Sequence, residues 1–181
     1  MNSLVLPHLT DRLALRPHTE ADAAWLHPIY SRPDVARYLL DDPWTADVAR
    51  EKTSARIPKT DLDGDNGALA LVIEHDQTPI GDVLLWFTDR ERRSAEIGWV
   101  LDPDHSGKGF ATEAVKAVLD LAFDHYRVHR VAAQMDGRNT ASAKLASRAG
   151  MRHEAHIRQA WWSKNEWTDT VIFGMLAGDR N

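Results

Sequence analysis

The chain has 181 residues, no cysteine, and 22 Lys and Arg against 27 Asp and Glu, for a formal net charge of −5. That length fits one domain whose core needs no disulfide or metal staple, and the missing cysteines exclude a disulfide framework, a Cys-based zinc site, an iron–sulfur cluster and a thiol nucleophile. The acidic balance gives no broad basic surface for nucleic acid, no apolar run reaches the roughly 18 residues of a membrane span, and the start MNSLVLPHLTDR lacks the regions of a signal peptide, so the expected location is the cytoplasm.

Leu9, Leu13 and Leu15 fall at alternate positions and predict a strand over 9–16, ended by Pro17. Thr19 opens a helix through Trp25, Leu26 and Ile29, with early carboxylates that suit its dipole and Pro28 as a bend or break. Short helices follow over 33–40 and 45–57, then a loop over 58–67, by composition. The period then changes from 3.6 to 2. Ala68 to Glu74 and Ile80 to Phe87 read as a hairpin around HDQTP, and Ser94 to Leu101 as a third strand. Gly107 to Tyr126 is the longest helix. His129 to Met135 is a strand, Asn139 to Ala149 a helix with Gly150 just past its end, and 151–160 and 168–176 are strands. This order predicts a mixed α/β sheet with one parallel crossover around the long helix.

The informative stretch is WVLDPDHSGKGFATEA, from Trp99 to Ala114. A strand ends, Pro103 stops further pairing, and a Gly-rich turn leads directly into a helix. The first amides of that helix lack internal partners and share its positive end, which makes an anion site suited to a phosphate group. The Walker loop is excluded, because Gly109 follows Gly107-Lys108 and no glycine stands five residues earlier. The dinucleotide fingerprint is excluded because Thr112 occupies its third glycine. Asp61-x-Asp63-x-Asp65 lacks the turn glycine and bidentate glutamate of a calcium loop. The nine histidines are scattered, and no metal is expected.

Ser106-Gly107-Lys108-Gly109-Phe110-Ala111 resembles the pyrophosphate loop of the GNAT superfamily of acyl-CoA-dependent N-acyltransferases, with Ser106 where Gln or Arg is usual. Asn139-x-x-Ser142-x-x-Leu145-x-x-Arg148-x-Gly150-Met151 is similar to the second cofactor-side motif of that family. Thr10 to Pro17 (TDRLALRP), Ala95 to Trp99 (AEIGW) and Glu166-Trp167-x-Asp169 resemble the branch of the ribosomal-protein N-terminal acetyltransferases. The resemblance runs in order over residues 10–176. It implies a single GNAT domain over 1–181: a mixed, mostly antiparallel twisted sheet of about seven strands with a β-bulge or splayed strand pair, and about four helices.

It also implies roles. The amides of Ser106 to Ala111 hold a pyrophosphate, Trp99, Val100 and Leu101 line the pantetheine arm, and Asn139 bonds that arm. Glu96 takes the proton of the amine, and Ser142, one turn after Asn139, gives one to the leaving sulfur; Tyr126 is less well placed. Beside these stand plainer readings: a turn at the glycines, a solvent-facing Glu96, a space-filling Ser142 and an N-cap at Asn139. Arg12 and Arg16 read as surface charges or ion-pair partners, and Trp161, Trp162 and Trp167 mostly as packing. The implied activity is transfer of an acetyl group from acetyl-CoA to a primary amine, of a small molecule or a peptide N-terminus, by direct attack. The alternatives are a larger acyl group such as succinyl, if a cation stands near the thioester, and a non-catalytic CoA-binding sensor. Neither nucleic acid nor membrane is an expected partner, and the chain is expected to be a monomer or homodimer.

Overall fold

The protein is described by a computed structural model that covers residues 4–180. His8–Leu9 (β1) and Ala14–Pro17 (β2) replace the single strand expected over 9–16. Thr10 causes the break. Its N–H donates to the Leu13 carbonyl at 2.9 Å and its Oγ1 accepts from the Leu13 N–H at 3.0 Å, which closes a turn. A short 3₁₀ turn over Glu20–Asp22 precedes Ala23–Tyr30 (α1). This helix runs past Pro28 and ends only at Ser31, whose N–H bonds the His27 carbonyl. Pro33–Ala36 (α2) is shorter than expected, and Ala46–Arg56 (α3) starts where Thr45 Oγ1 accepts from the Val48 N–H.

Thr60–Asp61 (β3), inside the expected loop, pairs with Ala68–His75 (β4). Thr78–Phe87 (β5) and Ser94–Leu101 (β6) follow as predicted. Asp76 and Gln77 both have positive φ, the geometry of a two-residue hairpin turn. Phe110–Asp120 (α4) starts three residues late, because Gly107 and Gly109 lie outside helical space, and it widens into a π-helical turn over Leu121–His125. Arg130–Asp136 (β7), Thr140–Arg148 (α5), Arg152–Ser163 (β8) and Glu166–Leu176 (β9) complete the chain.

Among the described residues nine strands form one sheet, in the order β1-β2-β4-β5-β6-β7-β9-β8 with β3 on β4. Two are two-residue strands, which accounts for nine where about seven are expected; there are five α-helices. All neighbours are antiparallel except β6 and β7. Register shifts fall in β4–β5 and β8–β9, while β5–β6 pairing is unbroken.

One face of the sheet buries Leu15, Leu71, Val83, Leu85 and Ile97 against Ala114, Val115 and Val118 of α4. A smaller cluster of Leu26, Ile29, Tyr30, Trp44 and Ala49 gathers α1 and α3, with Val100 packed against it. No helix among the described residues is long and apolar enough to cross a membrane, which says nothing about a β-barrel.

Arg16 ties β2 to the 3₁₀ turn before α1 and to β4. It grips Asp22 with two bonds of 2.8 and 2.9 Å and Glu74 with a third of 2.7 Å. Burial alone raises the Asp22 pKa. The Arg16 guanidinium, the Trp25 indole N–H and the Thr19 N–H outweigh it and hold the carboxyl well below the usual range. The stability this supplies is present above about pH 4 and is lost as the pH falls toward the folded-state pKa. Asp22→Asn is expected to cost about 3 kcal/mol at pH 7 in denaturant unfolding, and less below pH 4. A loss that stays constant with pH counts against this account.

Candidate active site

Between the end of β6 and the start of α4 the backbone is held open. Asp102 caps a 3₁₀ turn over Pro103–His105, and Ser106 to Gly109 then lie exposed at the head of α4. Gly107 has φ +77° and Gly109 φ +83°. A Cβ on Gly107 meets nothing within 4 Å, and one on Gly109 meets only Arg12 Nη2 at 3.4 Å. Left-handed backbone, not space, therefore requires glycine here. The reward is a row of free amides at a helix N-terminus.

Arg12 pins this loop. Its Nε donates to Glu113 Oε2 at 2.7 Å, its Nη1 donates to the Lys108 carbonyl at 3.0 Å, and its guanidinium lies 4.7 Å from the centre of the Phe110 ring. Thr10 Oγ1 donates to the other oxygen of Glu113 at 2.6 Å. The opening motif is thus a brace for the loop, and Arg12 is an ion-pair partner.

The sheet opens beside the loop. β6 and β7 pair only at Ser94–Arg130, Ala95–Val131 and Glu96–Ala132. Beyond that point β6 runs on to Leu101 and β7 to Asp136 without pairing to each other. Parallel strands that diverge leave backbone groups facing a gap, and a ligand that takes them up completes the ladder.

A cleft of about 820 Å³ occupies this region. Trp99, Val100, Leu101, Ser106, Gly107, Gly109, Phe110, Ala111, Asn139 and Ser142, all expected site residues, line it. Lys108 alone of the expected cofactor residues does not; its carbonyl is engaged by Arg12. Asn139 also caps α5, its Oδ1 accepting from the Ser142 N–H at 3.1 Å. Lys116 and Arg148 line the same cleft and were not singled out from sequence. Arg148 stands in the matched motif, and Lys116 lies seven residues beyond Gly109 on the polar stripe of α4. A cleft with free amides at one end, two cations on its rim and apolar walls along its length fits a long thioester carrier ending in a pyrophosphate.

Two smaller cavities share walls with the cleft. One, of about 460 Å³, contains Glu96 with Trp86, Gln134, Met135, Glu166 and Trp161. Glu96 Oε2 accepts from Gln134 Nε2 at 3.0 Å. Burial raises the Glu96 pKa, and the Gln134 bond partly offsets this. The other cavity, of about 380 Å³, borders Asn139, Ser142, Trp99 and Val100 as well as Gln134 and Met135, so it joins the first two. Glu96 and Ser142 thus stand in different compartments of one connected space. Tyr38 lines all three compartments, a placement its isolated position in the sequence did not signal. Tyr126 faces elsewhere, accepting from the Leu62 N–H at 3.3 Å.

The tryptophan expectation is corrected. Trp161 and Trp162 at the end of β8 and Trp167 at the start of β9 flank a tight turn at Lys164 and Asn165, but they are not packed inward. They are 49, 56 and 57% exposed, since the tip of the β8–β9 hairpin extends past the last β7 pairing, at Thr170. Trp162 and Trp167 stack edge to face, and Trp161 walls the Glu96 cavity. The hairpin tip reaches across this cavity, where Lys164 Nζ donates to the Leu39 carbonyl.

Residues 12–152 match the acetyltransferase (GNAT) domain family. The chain is 31% identical over 168 residues to the uncharacterized N-acetyltransferase p20 of Bacillus licheniformis, covering 92% of this chain and 94% of that protein. It is 26% identical over 171 residues to the putative ribosomal N-acetyltransferase YdaF of Bacillus subtilis (strain 168), covering 93 and 91%. The fold superposes with a TM-score of 0.79 on the spermidine N-acetyltransferase of Vibrio cholerae in complex with CoA and spermine, at 23% identity over 94% of this chain and 98% of that one. With the opened strand pair and the glycine loop in place, the chain belongs to the GNAT family of acyl-CoA-dependent N-acetyltransferases.

Proposed function

We propose that the protein transfers an acetyl group from acetyl-CoA to a primary amine by direct attack within a ternary complex. The observation that carries this reading is the opened β6–β7 pair, which leads from a loop of free amides to a compartment holding a half-buried carboxylate. The amides of Gly107 to Ala111 hold the pyrophosphate, with Lys116 and Arg148 offsetting its charge; the Ser106 N–H, expected in this row, is taken by the Pro103 carbonyl at 3.1 Å. The free backbone at Trp99, Val100 and Leu101, together with Asn139, holds the pantetheine arm. A donor from this backbone polarises the thioester carbonyl as negative charge develops on its oxygen.

The amine arrives from the Glu96 compartment. Its nitrogen bonds the carbonyl carbon, the C–S bond breaks, Glu96 takes the ammonium proton and releases it to solvent, and the Ser142 hydroxyl gives a proton to the thiolate as it regains one from solvent. Burial suits Glu96 to this, because a carboxylate with a raised pKa is a stronger base.

An acidic mouth for a polycation is not favoured. Asp41 pairs with Lys52 at 3.0 Å and Asp47 with Arg50. In the Glu96 compartment Arg138 bonds both Asp136 and Glu166. The test is calorimetric binding of acetyl-CoA, followed by thiol release with a panel of primary amines and peptides. Micromolar binding with turnover of at least one amine is expected. Binding without turnover of any amine favours the sensor, and no binding of any acyl-CoA removes the reading.

A further inference from the structure

The 380 Å³ cavity at the junction is larger than acetyl transfer needs, since a methyl group fills little of it. Its walls are unlike those of the other two compartments. The last turns of α3 and the residues after it bring Lys52, Arg56 and Lys59 to its lining, at i, i+4 and i+7. That spacing puts Lys52 and Arg56 on one face of α3, while Lys59 reaches the lining from the turn after Pro58, its N–H bonded to the Arg56 carbonyl at 2.9 Å. Tyr30 and Trp44 stack at 3.9 Å in the same wall, and the Arg56 guanidinium lies 5.0 Å from the Trp44 ring centre.

The charges do not cancel. Asp41 offsets Lys52 at 3.0 Å. Asp82, fully buried behind the wall, offsets Arg56 at 3.1 Å and accepts from the Tyr30 hydroxyl at 2.6 Å. His18 lies 3.8 Å from Asp82, but burial pushes its pKa down to about 4, so it is neutral at pH 7 and adds no charge. Lys59 has no carboxylate within 4 Å among the described residues. Three cations thus face two anions, in a recess that adjoins the proposed position of the thioester. A half-enclosed excess of one positive charge is best answered by one carboxylate, because Coulomb attraction is less screened there than at an open surface.

We propose that this cavity recognises a carboxylate carried by one of the two reactants: the far end of a dicarboxylic acyl group on CoA, or a carboxylate on the acceptor amine. The inference rests on the acyl-transfer reading above and names its substrate class. Lys59 supplies the charge, while Arg56, fixed by Asp82, Tyr30 and Trp44, supplies a rigid planar donor.

The experiment has two arms. In the first, the affinities of succinyl-CoA and butyryl-CoA, acyl groups of similar length that differ in the carboxylate, are compared by calorimetry, with acetyl-CoA alongside. In the second, thiol release from acetyl-CoA is compared for amino acids and dipeptides against their carboxamides. The carboxylate member is expected to be favoured at least tenfold in one arm. Lys59→Gln is expected to reduce that preference to within threefold, and Lys59→Arg to restore it, with acetyl-CoA affinity and melting temperature unchanged. Preference in the first arm places the acyl tail in the cavity, and preference in the second places the acceptor there. Equal handling of both members in both arms, with acetyl-CoA still bound, overturns the inference alone. Failure to bind acetyl-CoA removes the underlying reading and the inference with it.

Discussion

Gly109→Val is expected to weaken acyl-CoA binding at least a hundredfold while leaving the fold intact. Gly109 sits at φ +83° and caps α4. A left-handed conformation costs an L-residue roughly 1–2 kcal/mol, and a β-branched one more. The chain relieves this by turning the local peptide, which removes amides from the row that faces the phosphates. Each charge-assisted bond lost is worth about 1.5–3 kcal/mol, so two of them already exceed a hundredfold. The loop is exposed and packs on little besides Arg12, so the melting temperature should move by only a few degrees. Calorimetry with acetyl-CoA decides. Unchanged affinity in a folded variant shows that the phosphates are held elsewhere.

Glu96→Gln is expected to lower kcat by a factor on the order of 10² to 10⁴, the range for a positioned general base, with acyl-CoA affinity unchanged because Glu96 lies outside the cofactor cleft. The pH profile separates this role from a structural one. Burial raises the carboxyl pKa, so the acid limb of kcat should lie above the value of an ordinary glutamate, about 4.3. Activity is lost as the pH falls through that limb, because the protonated acid cannot accept from the amine. The glutamine variant should lack the limb. Gln134→Leu should move it further up, since the bond from Gln134 Nε2 favours the ionised form. A glutamine variant within threefold of wild type at every pH removes Glu96 from the proton path.

Much of this architecture is legible in the sequence because local rules and tertiary demands agree. β4, β5 and β6 are apolar alternating runs, cut by a turn pair and a proline, and they form where their pattern says. The glycine loop reads correctly because only backbone geometry is at issue. Sequence fails where a side chain decides. The turn at Thr10 hides inside an alternating leucine pattern, since its hydroxyl bond to Leu13 leaves no periodic trace. The reach of β8 and β9 to Lys164 is hidden because the two turn residues take positive φ without a glycine. The exposed tryptophans contradict ordinary burial, and the reach of the β8–β9 hairpin past the end of the β7 pairing explains them. The compartment holding Lys52, Arg56 and Lys59 is invisible in the chain, because its counter-charge Asp82 lies in another element, within an apolar strand run.

The divergence of β6 from β7 gives the empty protein an internal seam, an edge inside the sheet instead of at its border. Border edges recruit other strands; this one is shaped for a small extended molecule that hydrogen-bonds as a strand does. The thermal endurance of the chain should then track the supply of that molecule. At a hundred times the dissociation constant the bound form gains about 2.7 kcal/mol, roughly 5–10 °C for a chain of this size. Amide protons of residues 97–101 and 133–136 that face the seam should exchange with solvent in the empty protein and slow when it is filled, so the same gap that admits the reactant also reports its abundance.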